Sequence, residues 1–497
     1  MSCGFQNGRQ VNWRNILKTA PTVLAIINTI IRIGAVMIVP RHRRPTSAMA
    51  WLVTVFALPI PGTLAFMLFG STKLPQARRD KQSEINSYIV DTTEGLDLVR
   101  KDESWPKWFE SVVELNKTLG AMPLVGGNTA RLLPDYAASI DEMTSAVEKA
   151  ERYVHAEFYI LTRDDSTRAF FDALKAAHDR GVTVRVLYDH WATILNPQGR
   201  PTRKWLRENG IPFREMLPFK PFRSSWRRPD LRNHRKVLVI DGTLGFMGSQ
   251  NMIDPSYNKK GNIKRGLQWK DLMVRLQGPV VAGVNAIFVT DWFAETGELL
   301  AREADPIHQV DADTTLDCQV VPSGPGFDKE NNLRLFNALV YSAQRRLVVV
   351  SPYFVPDDSM LYAITTAAER GVEVQLFASA VADQAMVYHA QRSYYETLLD
   401  AGVRIFLYEE PIVLHAKHFT VDDEVAVVGS SNMDMRSFSL NFEVSLMVRG
   451  RTFVDELRAV EDDYRAHSHE LTLEEWRARP MPMHIVDNVA RLTATVQ

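Results

Sequence analysis

One motif occurs twice in this chain, and it constrains the fold more than any other feature. Residues 233–251 read NHRKVLVIDGTLGFMGSQN, and residues 414–432 read LHAKHFTVDDEVAVVGSSN. Each copy has a histidine, a lysine at the second position after it and then an aspartate, and each ends in Gly-Ser-x-Asn at the same distance. Such a duplication indicates two copies of one structural unit.

The sequence around each copy repeats as well. Residues 148–161 and 170–189 predict a strand, an amphipathic helix, an Arg-Gly turn and an apolar strand. Residues 337–355 and 360–379 predict the same plan in the second half of the chain. This β-α-β pattern is typical of an α/β fold. We therefore expect two α/β domains related by a pseudo-twofold axis, with both motif strands at the seam and one shared cleft.

The repeat also predicts the domain boundaries. A chain of 497 residues is too long for one ordinary core. We predict an N-terminal membrane hairpin in residues 1–72, a connector in 73–125, a first domain in 126–300, a linker in 301–315 and a second domain in 316–497.

Two apolar segments near the N-terminus predict a transmembrane helical hairpin. Residues 22–39 and 48–70 are each long enough to cross about 30 Å of hydrocarbon, and the predicted helices span about 20–40 and 48–70. Arg32 in the first segment and two prolines in the second leave a shallow or re-entrant hairpin open. Basic residues outside the hairpin slightly outnumber those in its loop, which favours a cytoplasmic catalytic body in a multi-pass protein of the cell membrane.

The residue types of the motif suit chemistry on phosphate. Side chains two apart on a strand share a face, so His234 lies beside Lys236, and His415 beside Lys417. Imidazole can attack phosphorus or protonate a leaving oxygen, and lysine neutralises phosphate oxygens. A single histidine at a strand start is more often structural, but two complete copies predict a site for phosphoryl transfer without a metal ion.

Composition narrows the class of protein. The two cysteines, Cys3 and Cys318, lie in unrelated contexts, so neither a disulfide framework nor a metal cluster is expected, and no cofactor is predicted. A net charge of −1 gives no general attraction to nucleic acid. Basic residues do cluster in 220–236 and 258–265. They suit an anionic bilayer surface, and a solvated basic loop is the alternative.

The sequence resembles the phospholipase D superfamily, whose mark is H-x-K-x4-D followed by G-[SG]-x-N in duplicate. Within that superfamily it is most similar to the bacterial cardiolipin synthases of the phospholipase D type. The stretches that carry this second likeness are HAEFYIL (155–161), SPYFVPD (351–357), GSSNMDMRSF (429–438) and the N-terminal apolar pair that ends in FMLFG. The resemblance extends from about residue 20 to the C-terminal tail.

The resemblance implies a membrane-bound phosphatidyltransferase that works in two steps. His234 would attack the phosphorus of one phosphatidylglycerol and form a phosphatidyl-histidine as glycerol leaves. His415 would protonate the leaving oxygen and then activate a hydroxyl of a second phosphatidylglycerol, which gives cardiolipin. The assignment of the nucleophile to the first copy rests on the family, because the two copies are equivalent in sequence.

The resemblance also assigns roles to other residues. Asp271 and Glu443 occupy matching places after each motif, and their carboxylates would accept a hydrogen bond from the histidine rings. We expect the motif aspartates, although they belong to the catalytic motif, to anchor the following turn. The remaining predicted site residues are the motif lysines and aspartates, with the serines and asparagines expected to bind phosphate: Lys236, Lys417, Asp241, Asp422, Ser249, Ser430, Asn251 and Asn432.

Several alternatives remain open for the function. A phospholipase D would pass the same intermediate to water and release phosphatidic acid. A nuclease of the superfamily is disfavoured by the near-neutral charge and the membrane hairpin, and an inactive scaffold by the two complete motifs. The expected partners are phosphatidylglycerol and anionic membrane lipids rather than nucleic acid, while phosphatidylethanolamine or a cytidine-diphosphate lipid stays possible as donor. The sequence does not indicate an oligomeric state.

Overall fold

A computed structural model describes residues 13–41, 43, 45–70, 99, 105–120, 122–218, 230–300, 315–327, 329–381 and 384–492 of the chain. The chain divides into two compact units. One comprises Met1–Thr72 and Arg228–Asp230, and the other comprises Lys73–Arg227 and Leu231–Gln497. Most of the predicted connector before residue 105, nearly all of the predicted linker and the basic residues 219–229 lie outside the described residues.

The N-terminal unit consists of apolar helices. They are α1 (Trp13–Ile38), α2 (Pro45–Ala57) and α3 (Pro59–Phe69). Among the described residues, one helical stretch, 21–38, is both long and apolar enough to cross a membrane. The segment 48–70, predicted as one helix with two prolines in it, is divided at Leu58 into α2 and α3. Pro59 has no backbone N–H to continue α2, and proline is instead favoured in the first turn of α3.

Arg32 has a partner inside the N-terminal unit. Its guanidinium donates a hydrogen bond of 3.1 Å to the carbonyl of Phe56, near the end of α2, and lies 5.8 Å from the centroid of the Phe56 ring. This contact joins α1 to α2 and gives the arginine of an apolar helix a protein acceptor in place of water.

The second unit has a mixed α/β structure. Its strands are β1 (Val125–Leu133), β2 (Tyr153–Phe158), β3 (Thr183–Asp189), β4 (Phe213–Met216), β5 (Arg232–Asn233), β6 (Lys236–Ile240), β7 (Leu244–Gly248), β8 (Gln268–Lys270), β9 (Met273–Gln277), β10 (Leu316–Ser323), β11 (Arg346–Val350), β12 (Phe354–Val355), β13 (Glu373–Ser379), β14 (Arg404–Tyr408), β15 (Ile412–Leu414), β16 (His418–Val421), β17 (Val425–Gly429), β18 (Met433–Asp434), β19 (Asn441–Arg449) and β20 (Ser468–Leu471). Its helices are α4 (Lys107–Thr118), α5 (Tyr136–Glu148), α6 (Arg168–Asp179), α7 (His190–Ile194), α8 (Gly199–Glu208), α9 (Lys260–Arg265), α10 (Val280–Thr296), α11 (Asn331–Ser342), α12 (Asp358–Glu369), α13 (Ala385–Arg392), α14 (Tyr395–Asp400), α15 (Met435–Ser439), α16 (Arg451–Ala466), α17 (Leu473–Arg477) and α18 (Met481–Arg491).

One large sheet runs through this unit. Its strands follow the order β20-β14-β13-β11-β16-β17-β19-β10-β1-β9-β7-β6-β2-β3-β4, and β5 pairs with β19. Strands β2, β3 and β4 are parallel, as are β11, β13 and β14. The motif strands β6 and β16 lie antiparallel to β2 and β11. Because β1 pairs with β10, the sheet continues from the first half of the repeat (126–300) into the second (316–497).

The β-α-β pattern predicted in each half is confirmed. Helix α6 ends before Gly181 and helix α12 before Gly371, and these glycines have φ values of +92° and +90°. Glycine adopts this left-handed conformation without a steric penalty, so the chain can turn back into β3 and β13. Apolar side chains on β6 and β16 pack beneath the covering helices and hold the ends of these strands, where the histidines lie, in fixed positions.

Candidate active site

Each motif histidine is held by a strand of the opposite half. His234 stands between β5 and β6, and its backbone N–H donates 2.9 Å to the carbonyl of Phe442 on β19. His415 follows β15, and its N–H donates 2.8 Å to the carbonyl of Lys270 on β8. The short strands also pair between the halves. Strand β5 of the first half pairs with β19 of the second, and β15 of the second half pairs with β8 of the first. Both imidazoles are buried, and the surroundings of each include residues from both halves of the repeat.

The carboxylates that orient the histidines are also exchanged between the halves. Nδ1 of His234 lies 3.0 Å from Oε2 of Glu443, and Nδ1 of His415 lies 2.7 Å from Oδ1 of Asp271. Both carboxylates are buried. With Nδ1 facing a carboxylate, Nε2 is the ring atom left for chemistry, and the carboxylate fixes the tautomer that presents it.

The motif serines hold these carboxylates. The Ser249 hydroxyl donates 2.6 Å to Asp271, and the Ser430 hydroxyl donates 2.5 Å to Glu443. A hydroxyl has one hydrogen to donate. In these contacts Ser249 and Ser430 hold the carboxylates that face the histidines, and their predicted contact with phosphate stays a prediction.

The motif asparagines differ from each other. Nδ2 of Asn251 donates 2.8 Å to the Tyr257 hydroxyl, and its Oδ1 accepts 3.1 Å from the backbone N–H of Ile160. The side-chain oxygen of Asn432 is buried and has no hydrogen-bond partner in the described part of the chain. Asn251 is therefore fixed by the protein, whereas the side-chain oxygen of Asn432 can still accept a hydrogen bond.

The side chains of both motif lysines are buried next to the backbone of the motif histidines. The ammonium of Lys236 donates to the carbonyl of His234, and that of Lys417 donates 2.5 Å to the carbonyl of His415. Burial lowers the pKa of Lys236 well below its ordinary value, and Glu443 opposes this effect. The lysines place basic groups at the site, and an ammonium group there suits an anionic phosphate.

The electrostatic environments of the two histidines are unequal. Burial, followed by the charges of Lys236 and Lys417, lowers the pKa of His234 well below its ordinary value. The charge of His415 also contributes to the lowering of the His234 pKa. Burial lowers the pKa of His415 as well, but the Asp271 carboxylate counteracts it. His415 is therefore easier to protonate than His234.

The two carboxylates differ in the corresponding way. Burial raises the pKa of Glu443 to about 7, although Lys236 opposes the rise. Burial acts in the same direction on Asp271, but His415 and Lys417 outweigh it and lower the pKa of that carboxyl. The Asp271 carboxyl therefore ionises more readily than that of Glu443. The two histidine–carboxylate pairs therefore have similar geometry but differ in how readily their carboxyl groups ionise.

The motif aspartates lie at the far end of the motif strands, away from the histidines. The Asp241 carboxylate accepts hydrogen bonds from the backbone N–H groups of residues 151–153, between 2.7 and 2.9 Å. Asp422 accepts from those of residues 344–346, with shortest distances between 2.7 and 3.1 Å. Asp241 and Asp422 therefore fix the turns that lead into β2 and β11, whereas the sequence predicted that they anchor the turns that follow them; a part in catalysis stays a prediction.

Several residues at the site were missed by sequence reasoning. The ring of Tyr159 meets His234 edge-on with centroids 4.8 Å apart, and the rings of Tyr257 and Tyr353 both lie 6.3 Å from that of His415. These tyrosines form aromatic walls beside the imidazoles. Two of them could have been found, because Tyr159 and Tyr353 follow corresponding central strands of the repeat, in HAEFYIL and SPYFVPD.

A buried polar cluster behind His234 was also missed. Arg235 is buried, pairs with Asp291 of α10, and donates 3.1 Å from Nε to the carbonyl of Glu443. Asn233 donates 2.8 Å to Glu157 on β2. The second copy has Ala416 in place of the arginine. This ion pair therefore supports the His234 side of the site, and the second copy has no arginine at the matching position. The spacing of residues in the sequence does not indicate that Asp291 of α10 is the partner of Arg235.

The described residues contain no group of three or more His, Cys, Asp or Glu side chains arranged to hold a metal ion. Of the two predicted basic segments, 220–236 lies mostly outside the described residues, and 258–265 includes the short helix α9.

Comparison with known proteins identifies the family. A family model described as "Cardiolipin synthase, PLD-like domain" matches residues 143–290 and 337–462, one stretch in each half. The chain belongs to this phospholipase D-like cardiolipin synthase family. The resemblance predicted from the duplicated motif is thereby confirmed, and with it the prediction of an enzyme.

Curated members of the family match over nearly their whole length. Cardiolipin synthase A of Proteus mirabilis is 35% identical over 467 residues, which covers 92% of this chain and 94% of the relative. Cardiolipin synthase A of Serratia proteamaculans is 36% identical over 462 residues, covering 91% and 93%. Among solved structures, phosphatidylserine synthase of Haemophilus influenzae superposes with a TM-score of 0.59 at 14% identity. It covers 79% of this chain and 100% of that protein, a likeness of fold.

Proposed function

We propose that this protein is a phosphatidyltransferase that converts two phosphatidylglycerol molecules into cardiolipin and glycerol through a phosphohistidine intermediate. The observation that carries the proposal is the pair of buried histidines, His234 and His415, each held by a carboxylate of the opposite half. The names of the curated relatives support the reaction. No metal or cofactor takes part in the proposed steps.

We further propose that the catalytic body comprises two phospholipase D-like domains, 126–300 and 316–497, related by a pseudo-twofold axis. The sheet order supports this, since β4-β3-β2-β6-β7-β9-β1 corresponds strand by strand to β14-β13-β11-β16-β17-β19-β10. Residues 1–72, 73–125 and 301–315 would be the membrane segment, the connector and the linker.

In the first step, neutral His234 attacks the phosphorus of one phosphatidylglycerol. A bond forms from Nε2 to phosphorus, and the bond from phosphorus to the headgroup glycerol breaks. His415 is protonated at this stage and gives the proton on its Nε2 to the leaving oxygen, so glycerol departs neutral. Lys236, Lys417 and Asn432 bind the non-bridging oxygens, where negative charge develops.

In the second step, His415 acts as a base. Its Nε2 takes the proton from a headgroup hydroxyl of the second phosphatidylglycerol, whose oxygen attacks the phosphorus. The bond from phosphorus to His234 breaks, cardiolipin is released, and His415 is protonated again. The unequal charges support these roles, because ionised Asp271 favours a proton on His415 while the burial of His234 beside the lysines disfavours one.

Burial of the site supports transfer to a lipid rather than to water. Both imidazoles, both lysines and both orienting carboxylates are buried. A phosphohistidine in such an enclosure reacts with the acceptor that is seated in it, and exclusion of water limits hydrolysis.

We propose that the enzyme works at the cell membrane with its catalytic body on the cytoplasmic side. The candidate span 21–38 supports membrane attachment, and α2 and α3 would complete a hairpin that spans the bilayer or re-enters it. The cations of 220–236 and 258–265 would contact anionic lipids and attract phosphatidylglycerol to the entrance.

The test uses purified full-length protein in mixed micelles that contain phosphatidylglycerol. We expect cardiolipin and free glycerol in equal amounts. His234→Ala and His415→Ala should each abolish turnover, while His469→Ala, which changes an exposed histidine of β20, should not. Phosphatidic acid as the main product would identify a hydrolase, and cleavage of DNA instead of lipid would identify a nuclease.

The role assignment is tested separately with labelled phosphatidylglycerol and acid quenching. We expect the label on His234, in wild type and in a variant slowed at the second step. Label on His415 would reverse the roles, and absence of a labelled enzyme under single-turnover conditions would refute the covalent intermediate.

A further inference from the structure

The last helix of the chain, α18, exposes apolar side chains along one face. Met481, Ile485, Val489 and Leu492 are each more than half exposed, and Leu492 reaches 80%. Their spacing of three or four residues places them on the same side of the helix, and Val486 widens that side. A contiguous exposed apolar surface of this kind marks a site of interaction.

The opposite side of α18 is fixed to the catalytic body by a buried carboxylate. Asp487 is buried and lies 2.7 Å from Nδ1 of His389 and 2.8 Å from the guanidinium of Arg479. Arg392 approaches the same carboxylate at 3.6 Å. These contacts set the rotation of the helix about its axis, so the apolar face is held outward.

The charges of α18 match an anionic lipid surface. Asp487 is the one acidic residue of the helix, and because it is buried, the helix exposes no carboxylate. His484 and Arg491 border the apolar face, and the guanidinium of Arg491 packs over the ring of Tyr394 at 4.5 Å. An apolar face with an arginine beside it and no exposed acid is the pattern of helices that lie in a bilayer interface.

The apolar face is connected to the active site through α13. Helix α18 packs along α13, and Gln384, which precedes α13, donates 3.3 Å to the Tyr353 hydroxyl. The ring of Tyr353 faces His415. Met386, in the first turn of α13, is also more than half exposed. Met386 is two residues from Gln384, so an exposed apolar side chain also lies next to the segment that contacts Tyr353.

We propose that α18, together with Met386, lies in the interface of an anionic bilayer and holds the entrance of the active site at the level of the lipid headgroups. This surface would present phosphatidylglycerol to the cleft from the side of the second half. The delivery of substrate in this inference rests on the proposed function. The contact of α18 with the bilayer can be measured without any turnover.

The first experiment measures the docking by fluorescence. Full-length protein that carries Cys3→Ser, with Cys318 buried, receives an environment-sensitive label at Ile485→Cys or Val489→Cys. A control label at Lys149→Cys lies near the end of β2 remote from the histidines. In vesicles of phosphatidylcholine and phosphatidylglycerol, we expect blue-shifted emission at 485 and 489 and quenching by nitroxides on the lipid tails, and neither effect at 149.

Two outcomes of this experiment would overturn the proposal. One is quenching by aqueous iodide at 485 that is as strong as at 149. The other is a disulfide between two unlabelled Ile485→Cys chains in dilute vesicles, which would make the face an interface between copies of the chain. Both outcomes are independent of whether cardiolipin is formed, so failure of the docking is distinguishable from failure of the proposed function.

The second experiment separates docking from chemistry. We expect the double variant Ile485→Ser, Val489→Ser to lose about tenfold in turnover of phosphatidylglycerol in vesicles, because less apolar surface enters the bilayer. Its turnover of short-chain phosphatidylglycerol in solution should be unchanged, as should both activities of Leu299→Ser, an exposed leucine after α10. An equal loss on both substrates would overturn the proposal.

Discussion

Replacement of Asp271 by asparagine tests the exchange of carboxylates between the halves. Asp271 belongs to the first half, but its Oδ1 lies 2.7 Å from Nδ1 of His415 in the second. The substitution keeps the size of the side chain and removes its negative charge. We therefore expect it to impair His415, whose motif lies on the opposite half of the sheet, and to leave the protonation of His234 nearly unchanged.

The expected magnitude follows from the distance. Unit charges 2.7 Å apart attract by about 6 kcal/mol at an effective dielectric constant of ~20. Observed effects of a close opposite charge are about 1–3 pKa units, or ~1.4–4 kcal/mol. Loss of a correctly held general acid and base costs about 10²- to 10⁴-fold in rate. We expect Asp271→Asn to lower kcat/KM within that range.

The pH dependence gives the sign of the effect. His415 must be protonated for the first step, so activity falls as pH rises through its pKa. The ionised Asp271 carboxylate raises that pKa, and its removal lowers it. We expect the alkaline limb of the kcat/KM profile to move to lower pH in Asp271→Asn, with the acidic limb, which reports deprotonation of His234, in place.

Two variants serve as comparisons. Glu443→Gln should cost less than Asp271→Asn, because the pKa of Glu443 is about 7 and its carboxyl is partly neutral already. Asp463→Asn removes an exposed acid paired with Lys270 at 3.1 Å and should have little effect. The assay is single-turnover release of glycerol from phosphatidylglycerol between pH 5 and 9. A shift of the acidic limb alone in Asp271→Asn, with labelled phosphate still on His234, would refute the reasoning.

Two further predictions concern stability. Asp422→Ala removes the acceptor for the N–H groups of residues 344–346 and leaves alanine at a φ of +49°, so we expect a loss of about 1–3 kcal/mol, seen as a lower unfolding temperature; unchanged unfolding would contradict the structural role. Burial lowers the pKa of His155 to about 3, so below pH ~6.5 the unfolded chain binds a proton that the folded chain excludes, and stability falls with acidification. His155→Gln, whose amide can still contact Asn285, should show a smaller drop in unfolding temperature between pH 7 and pH 5 than wild type, and an equal drop would refute the assignment.

The sequence by itself determined the family and the α/β class of the fold. Two histidines with lysines at fixed spacing, set in β-α-β contexts, predicted the family and the catalytic residue types. Such inferences succeed because strand and helix periodicity and motif spacing are local properties of the chain. The turns after α6 and α12 were likewise predictable, because Gly181 and Gly371 are needed where φ is positive.

The tertiary structure alone decided which residues act on each other. Glu443 is 209 residues from His234, and Asp271 is 144 residues from His415, because pairing of β5 with β19 and of β15 with β8 exchanges partners between the halves. The repeat in the sequence cannot show whether the carboxylate that contacts a histidine comes from the same half or from the other half. The reason is that Asp271 and Glu443 lie at equivalent positions in the two halves. The direction of the α18 face was equally unpredictable, because it depends on the ion pairs that Asp487 makes with separate helices and loops.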